Sequence, residues 1–328
     1  MDFEEALKKW PDLSPDRFRT FGRSLKGTFG VKVYKVTLHA GFTCPNRDGK
    51  VGRGGCTYCI NESFSPNARD PELPVGEQMR RGMDFLNSRY GAEKFIAYFQ
   101  TFTNTYAPID RLRRLYDEAL CFPDVVGLSI GTRPDCVPDD VLDFIQNYAP
   151  RVKVWIEYGL QSAHDRTLKL INRGHDYAAF VDAIHRTQGR GIEIVVHVIL
   201  GLPGENREDM RETAIRVNAM PMNGLKIHHL YVAVNTPMEE MYKRGEVKAL
   251  TLDEYVSLAA DFIERTRPDV TLQRLTGDTH GDCLVAPKWN VSKSRVLYAI
   301  SAELARRGTF QGALWEGSGA IASGSAAG

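Results

Sequence analysis

Between residues 33 and 235, short apolar segments alternate with longer amphipathic ones, and this pattern constrains the fold more than any other feature of the chain. The apolar segments are rich in Val and Ile and are bounded by Gly, Pro or Asn, which predicts β-strands. They lie at residues 33–39, 95–100, 125–130, 152–158, 192–200 and 225–232. Helical patterns lie between them, near residues 74–90, 109–119, 138–147, 176–189 and 207–219. This alternation favours an α/β fold with parallel strands and right-handed crossovers.

Six strand–helix units fit either a partial barrel or a doubly wound sheet. A complete eight-stranded barrel usually needs about 250 residues, whereas the alternation covers about 200. Beyond residue 235 the pattern changes to two helices, one opening at a capping box at residues 251–254 and one near residues 292–307. We therefore expect four parts, which are an N-terminal extension (1–30), the strand–helix domain (31–235), a helical C-terminal extension (236–310) and a disordered, low-complexity tail (311–328).

The composition is that of an ordinary folded protein and disfavours several classes. The 328 residues are 43% hydrophobic and 25% charged, with a net charge of +1. No apolar run reaches the roughly 18 residues of a membrane helix, and the acidic N-terminus lacks a signal-peptide pattern, so we expect a cytoplasmic location. Residues 17–61 contain nine basic residues and one acidic residue. This basic segment is compatible with a solvated surface or with a polyanionic partner.

Three cysteines, Cys44, Cys56 and Cys59, are spaced C-x11-C-x2-C in a glycine-rich loop after the first predicted strand. In strand–helix folds, functional sites collect at that end of the strands. A structural zinc site would need a fourth ligand such as His39, and a redox dithiol would use only Cys56 and Cys59. The third interpretation is an iron–sulfur cluster bound by three thiolates, which leaves one iron open to a small molecule.

The cysteine pattern, with Tyr58 before the last cysteine, resembles the radical S-adenosylmethionine (SAM) superfamily. Its long first gap resembles the group around the catalytic subunit of elongator and, more closely, a small bacterial family of stand-alone proteins related to it. The resemblance extends over about residues 17–310 and implies a partial (β/α)6 barrel with a helical C-terminal extension. It also implies a [4Fe–4S] cluster on the three cysteines, where SAM is reductively cleaved to a 5′-deoxyadenosyl radical.

Motifs after the second and third strands extend the resemblance. Gln100 and Asn104 belong to a Gln-x-x-Thr-Asn-Thr segment, which in the related family replaces the Gly-Gly-Glu that holds the SAM ammonium. Their amide oxygens can accept hydrogen bonds from that group, although such residues also form strand-end turns. Thr132, Arg133 and Asp135 match a second family motif and suit the ribose and the methionine carboxylate. Arg133 is the natural carboxylate partner, and the alternative is a surface pair with Asp135.

The fourth and fifth strands supply the remaining candidate SAM contacts. Glu157 lies in an apolar strand, so its carboxylate must be paired or must bind something. Gln161 and Arg173 match positions that face SAM in the relatives. Ile199 and Gly201 lie in a segment that resembles the adenine site of radical SAM enzymes, with a histidine in place of its first glycine. The sequence identifies no catalytic residue.

The resemblance implies a tRNA substrate, modified on a wobble uridine side chain, and an electron donor such as flavodoxin or ferredoxin, with no membrane partner. The basic segment supports this interpretation because phosphate contacts supply much of the affinity for nucleic acids. No recognised RNA-binding module is visible in the sequence. Two alternatives remain open, which are a radical SAM enzyme acting on a small metabolite and a non-catalytic, zinc-stabilised RNA-binding protein.

The three-thiolate assignment makes a direct prediction for the purified protein. Replacement of Cys44, Cys56 or Cys59 by Ala should bleach the cluster and abolish 5′-deoxyadenosine formation, because three thiolates are the minimum set. Iron content and the visible spectrum of anaerobic protein measure the effect. The matched controls are Ala variants of the remaining cysteines, which should retain iron: Cys121, Cys136 and Cys283. Full iron content in Cys44→Ala would contradict the assignment.

Overall fold

The computed structural model describes residues 1–61, 72–277 and 281–315. Within these residues, the main sheet contains β1 (Val33–Leu38), β2 (Lys94–Phe99), β3 (Val125–Thr132), β4 (Lys153–Gln161), β5 (Ile192–Leu200), β6 (Gly224–His229) and β8 (Thr271–Arg274). A small antiparallel pair contains β7 (Val232–Ala233) and β9 (Leu284–Ala286). The helices are α1 (Phe3–Lys9), α2 (Phe21–Phe29), α3 (Pro45–Asp48), α4 (Val75–Tyr90), α5 (Ile109–Ala119), α6 (Asp139–Gln146), α7 (Asp165–Leu170), α8 (Tyr177–Thr187), α9 (Arg207–Asn218), α10 (Pro237–Lys243), α11 (Leu252–Arg265) and α12 (Lys293–Arg306).

The main sheet follows the order of the chain, β1-β2-β3-β4-β5-β6-β8, and each neighbouring pair is parallel. In a doubly wound sheet, the order of the strands reverses at a switch point. The sequential strand order observed here excludes that alternative. The sheet is strongly curled, because Lys35 Nζ in β1 lies 3.0 Å from Gln273 Oε1 in β8, at the opposite edge. The predicted α/β class and the partial barrel are confirmed.

The sequence predicts a helical C-terminal extension, but this part of the chain also contains a strand. It contributes β8, which pairs with β6 through Leu225 and Leu272 and makes the sheet seven-stranded. β8 has only four residues, Thr-Leu-Gln-Arg, so it shows neither a long apolar run nor a clear alternation. The two predicted helices of the extension are present as α11 and α12.

The strands bury apolar side chains on their outer face, where the helices cover them. In β4, Val154, Ile156 and Tyr158 face that layer, each at most 1% exposed. α5 contributes Leu112 and Tyr116 to the same core. Among the described residues, no helix is long and apolar enough to cross a membrane.

The inside of the barrel is apolar only at the amino ends of the strands. Trp155 from β4 packs there with Val33, Ile96 and Val195, and α2 closes this end with Leu25. One pleat further along β4, the inward residue is Glu157, and polar side chains surround it. Because alternate residues of a strand share a face, each strand passes from an apolar plug to a polar layer within two residues.

The terminal segments of the described chain are tied together beneath the barrel. The amide of Leu272 donates to Arg19 O, and the Gln311 side chain, which is fully buried, donates to the carbonyls of Arg267 and Val270. Hydrogen-bonded structure extends past residue 311, the predicted start of the disordered tail, because the Leu314 amide donates to Glu264 O at 2.8 Å. Residues 316–328 of that tail lie outside the described residues.

The basic segment does not form one solvent-facing surface. The Arg17 guanidinium donates to Thr309 O, Arg19 lies 3.5 Å from Asp12, and Arg23 pairs with Asp16 at 2.8 Å. These three arginines therefore join the N-terminal segment to itself and to the segment that follows α12. Ion pairs with Asp12 and Asp16 take up part of the charge of this segment, and its binding of a polyanion stays a prediction.

The apolar plug predicts a sharp difference between two glycines. A Cβ at Gly127 in β3 would lie 2.7 Å from Trp155 Cζ3 and 3.1 Å from Ile96 Cγ1, so Gly127→Ala should destabilise the fold by about 1–3 kcal/mol. A Cβ at Gly27 in α2 would have no heavy atom within 4 Å, so Gly27→Ala should stabilise it by about 0.5–1 kcal/mol. Urea unfolding of both variants measures the difference. Equal stabilities would contradict this packing.

Candidate functional site

The three cysteines lie together in a cavity at the carboxyl ends of the strands, as the loop position predicted. Cys44, Cys56 and Cys59 all line it. Seven of the ten predicted SAM contacts line the same cavity: Gln100, Thr132, Arg133, Glu157, Gln161, Arg173 and Ile199. The other three lie outside it: Asn104, Asp135 and Gly201. The carboxyl ends of β2, β3, β4 and β5 therefore meet the cysteine loop at this cavity.

The cysteine loop is anchored to the segment between α7 and α8. Asn46 Nδ2 donates to Asn172 O at 2.5 Å, and Asn172 Nδ2 donates back to Gly55 O at 2.7 Å. The Thr57 amide also donates to Ile171 O at 3.0 Å. These hydrogen bonds tie the cysteine loop to the segment between α7 and α8 and so help to position the cysteines.

The donor set fits a cluster better than a single metal ion. No group of three His, Cys, Asp or Glu side chains within the described ranges is close enough to hold one ion. A [4Fe–4S] cluster binds its thiolates at different irons, so the sulfurs need not converge on one point. His39, the proposed fourth zinc ligand, directs Nδ1 to Thr101 Oγ1 at 2.8 Å and does not line the cavity.

Arginines surround the cysteines and supply positive charge to them. Arg173 Nη1 lies 3.5 Å from Cys56 Sγ, and Arg47 Nη2 donates to Cys59 O at 2.6 Å. Burial raises the pKa of Cys56, but the charges of Arg173 and Arg133 outweigh it and leave that pKa below its ordinary value. Burial and the neighbouring Cys56 raise the pKa of Cys59 to about 11. The pocket is therefore suited to an anionic group, such as a thiolate-bound cluster.

Two amide oxygens in the cavity have no hydrogen-bond partner among the residues that the structure describes. Gln100 Oε1 and Gln161 Oε1 are both buried without a hydrogen bond, a state that costs about 1–3 kcal/mol unless a ligand satisfies it. Gln161 adopts φ +81° at a register shift between β4 and β5. A positive φ is rare outside glycine and marks functional sites. The Gln100 oxygen fits its predicted role of accepting from the SAM ammonium, and the Gln161 oxygen fits its predicted position facing SAM.

Arg133 does not offer a free fork to a carboxylate. Its Nε and Nη2 bind Asp135 at 2.9 and 2.7 Å, and its Nη1 donates to Arg173 O at 2.7 Å. The alternative of an Arg133–Asp135 pair is therefore the one observed, although Arg133 is only 2% exposed and the pair is not a surface pair. Arg133 orients Arg173 and adds charge near Cys56. Thr132 lines the cavity and bonds Thr105 Oγ1 at 2.6 Å.

Asn104 and Gly201 have structural roles in the described chain. Asn104 Nδ2 donates to the carbonyls of Phe99 and Gly131, at 3.1 and 2.8 Å, which is the strand-end turn that we had kept as an alternative. Gly201 has φ +82°, and a Cβ there would lie 2.8 Å from Leu250. Neither residue lines the cavity, and Asn104 Oδ1, the oxygen predicted to accept from SAM, is buried with no hydrogen-bond partner among the described residues.

Glu157 is the centre of a buried ionic layer beneath the cavity. Its two carboxylate oxygens accept from Lys35, Lys226, Ser129 and the His197 ring, the last at 2.8 Å. Burial raises the pKa of Glu157, but the two lysine charges outweigh it and hold that pKa well below its ordinary value. The sequence predicts that the Glu157 carboxylate is either paired or bound to a ligand, and the structure shows that it is paired. A contact with SAM is therefore not needed to explain why Glu157 is buried.

Sequence reasoning missed most of this layer. Lys35, Lys226 and Arg274 lie in β1, β6 and β8, and none belongs to a motif. The available signal was a lysine at an inward position of an apolar strand, as in Val33-Tyr-Lys35-Val and Leu225-Lys226-Ile. His228 and Tyr231 complete the lining on that side of the cavity.

His197 predicts how stability depends on pH. Burial and the Lys226 charge lower its pKa to about 4, whereas it is about 6.5 in an unfolded chain. Between these values the unfolded chain binds the additional proton, so stability falls as pH falls from about 6.5 to about 4. His197→Gln, which keeps a donor to Glu157, should reduce this slope by up to about 1.4 kcal/mol per pH unit.

Urea unfolding of the wild type and His197→Gln at pH 7, 6, 5 and 4.5 measures the slope. His185 is exposed on α8, and His185→Gln is the matched control, with a slope equal to that of the wild type. An unchanged slope in His197→Gln would show that the imidazole is not held neutral by the layer.

Sequence comparison with known protein families supports the assignment of this cavity as the functional site. The Radical SAM superfamily profile matches residues 44–217, and the Radical_SAM C-terminal domain profile matches residues 222–306. YtqA of Bacillus subtilis (strain 168) is 41% identical over 303 residues, which cover 92% of this chain and 93% of that protein.

Similarity to elongator proteins is more distant. Elongator complex protein 3 of Mus musculus is 27% identical over 161 residues, which are 48% of this chain and 29% of that protein. The structure of archaeal Methanocaldococcus infernus Elp3 superposes with a TM-score of 0.67 at 18% identity, over 85% of this chain and 64% of that one. The latter shows a shared fold. The profile match, which begins at the first cysteine of the cavity and covers more than half of the chain, establishes that the chain belongs to the radical SAM superfamily of enzymes.

Proposed function

We propose that this enzyme cleaves SAM at a [4Fe–4S] cluster bound by Cys44, Cys56 and Cys59 and modifies a uridine side chain at the wobble position of tRNA. The observation that carries the first part is the cavity itself, where the three cysteines meet the partnerless oxygens of Gln100 and Gln161. When bound, the cluster would supply the electron that releases a 5′-deoxyadenosyl radical from SAM.

The protein groups have distinct tasks in this proposal. Gln100 and Gln161 accept hydrogen bonds from the SAM ammonium, which relieves the cost of their buried oxygens. Ile199 gives an apolar wall for the adenine. Arg173 holds Gly159 O through Nε and Nη2 while Nη1 faces Cys56 Sγ, so it couples the strand end to the cluster ligand. The closed loop limits water at the reacting atoms.

A basic cleft supports the tRNA part of the proposal. It opens between β1 and β8, the two edges of the curled sheet, and α2 and α12 form its sides. Lys26, Lys32 and Lys293 are exposed and line it. Tyr298, 64% exposed, lies on α12 nearby in sequence. Lysines that follow a backbone and aromatic rings that stack on bases are the usual elements of nucleic-acid binding.

The test combines SAM cleavage with analysis of tRNA nucleosides. Reduced, anaerobic enzyme is incubated with SAM and with total tRNA from a strain that lacks the gene. We expect substrate-dependent 5′-deoxyadenosine and a mass change in one wobble uridine nucleoside, measured by liquid chromatography and mass spectrometry. Cys59→Ala is the inactive control, and tRNA from the parent strain should give little turnover because it is already modified.

Charge reversal separates tRNA binding from SAM chemistry. Lys26→Glu with Lys32→Glu should weaken tRNA binding and reduce its salt dependence, because fewer phosphates are neutralised. Lys8 and Lys9 are exposed on α1 and outside the cleft, so their reversal is the matched control. Turnover with a metabolite extract but not with tRNA would favour the small-metabolite alternative, and a colourless zinc protein without turnover would favour the non-catalytic one.

A further inference from the structure

The cavity and the basic cleft meet inside the barrel. Arg274 and Tyr98 line both of them, whereas none of the three cysteines lines the cleft. Lys35 and Lys226 line the cleft directly beneath this junction. A substrate group that enters through the cleft therefore reaches Arg274 before it reaches the cysteines.

The junction holds three basic side chains, Lys35, Lys226 and Arg274, and one carboxylate, Glu157. Glu157 accepts from Lys35 and Lys226 together, so one carboxylate serves two ammonium groups. Arg274, whose backbone pairs with Lys226, adds a third basic group, and within the described ranges no hydrogen bond or ion pair involves its guanidinium. The acidic residue of the cleft wall, Asp16, is already paired with Arg23 at 2.8 Å.

The three cations are close enough to disturb one another. The Arg274 charge contributes to lowering the pKa of Lys35 and of Lys226, in addition to the larger effect of burial. Like charges held together in a partly buried site repel each other unless an anion lies among them. The Tyr98 hydroxyl, which accepts from Lys226 at 3.0 Å, is neutral and does not supply that anion.

We propose that Arg274, with Lys35 and Lys226 beside it, binds a carboxylate or phosphate of the substrate and holds the substrate between the cleft and the cysteines. The planar guanidinium suits either anion through two parallel hydrogen bonds. This inference rests on the proposed function, because it places the anion on the molecule that the cavity modifies. It also narrows that function to substrates with an acidic group near the reacting atom.

A binding experiment tests the subsite without requiring turnover. Anaerobic holoenzyme with SAM is titrated calorimetrically with two pairs of probes, 5-carboxymethyluridine against its neutral amide, and uridine 5′-monophosphate against uridine. The charged member of one pair should bind about tenfold more tightly, the expected gain from a charge-assisted fork. Arg274→Met should abolish that preference, and Arg274→Lys should retain part of it because the charge remains.

Control measurements keep the result interpretable. Arg114 is exposed on α5 and lines neither the cavity nor the cleft, so Arg114→Met should preserve the preference. Arg274 leaves no described partner unpaired when it is removed, and thermal unfolding checks that both Arg274 variants are folded. Preference in the first pair identifies a carboxylate, and preference in the second identifies a phosphate.

Three outcomes would overturn the proposal. The first is equal affinity within both pairs, and the second is no binding of any of the four probes. The third is a parallel loss of SAM affinity in Arg274→Met, since the anion would then be the methionine carboxylate. Failure of the proposed function would give a different result. SAM cleavage or tRNA modification would then be absent from the turnover test, while the anion preference would still be measured in the binding test.

Discussion

The buried ion pairs of Glu157 with Lys35 and Lys226 are the interaction on which the organisation of the barrel depends. They join β4 to β1 and β6, and Lys35 extends the connection to Gln273 in β8. Removing one partner of such a buried pair leaves an uncompensated charge, which costs about 3–5 kcal/mol. The curl of the sheet and the charge of its interior are therefore set by the same few side chains.

This ionic layer separates two environments inside one barrel. On its amino-terminal side, Trp155 and its apolar neighbours form a packed plug. On its carboxyl-terminal side, the cavity is polar and reaches the cysteine loop. The charged groups of the ionic layer are held in place by buried hydrogen bonds to one another. They therefore preserve the shape of the cavity without help from a ligand.

Positive charge is divided between two places with different tasks. Arg47, Arg133 and Arg173 lie around the cysteines and are bound to the backbone or to Asp135. Their guanidinium groups are thus immobilised, which suits the stabilisation of a resident anionic group. Arg274 lies where the cleft meets the cavity, and its guanidinium has no partner among the described residues. Such a group suits the reversible binding of an anionic ligand.

The sequence by itself determined most of the elements and the position of the three cysteines after the first strand. Strand and helix periodicity is local, so it predicted six of the strands and the α/β class. The partial barrel and a cluster on Cys44, Cys56 and Cys59 were implied by the resemblance to the radical SAM superfamily. Local patterns also located Gln100 and Gln161, since residues at strand ends reach the same rim. They could not find β8, whose four residues become a strand only because β6 offers an edge to pair with.

Only the tertiary structure decided which charged residues are partners and which are free. Lys35 and Glu157 are 122 positions apart, and Lys226 is another 69 beyond Glu157, so no local pattern joins them. Arg133 was expected to bind a carboxylate from outside and instead binds Asp135, two residues away, because both are buried at one strand end. A side chain's partner depends on what the fold brings within about 3 Å of it, and sequence spacing does not contain that distance.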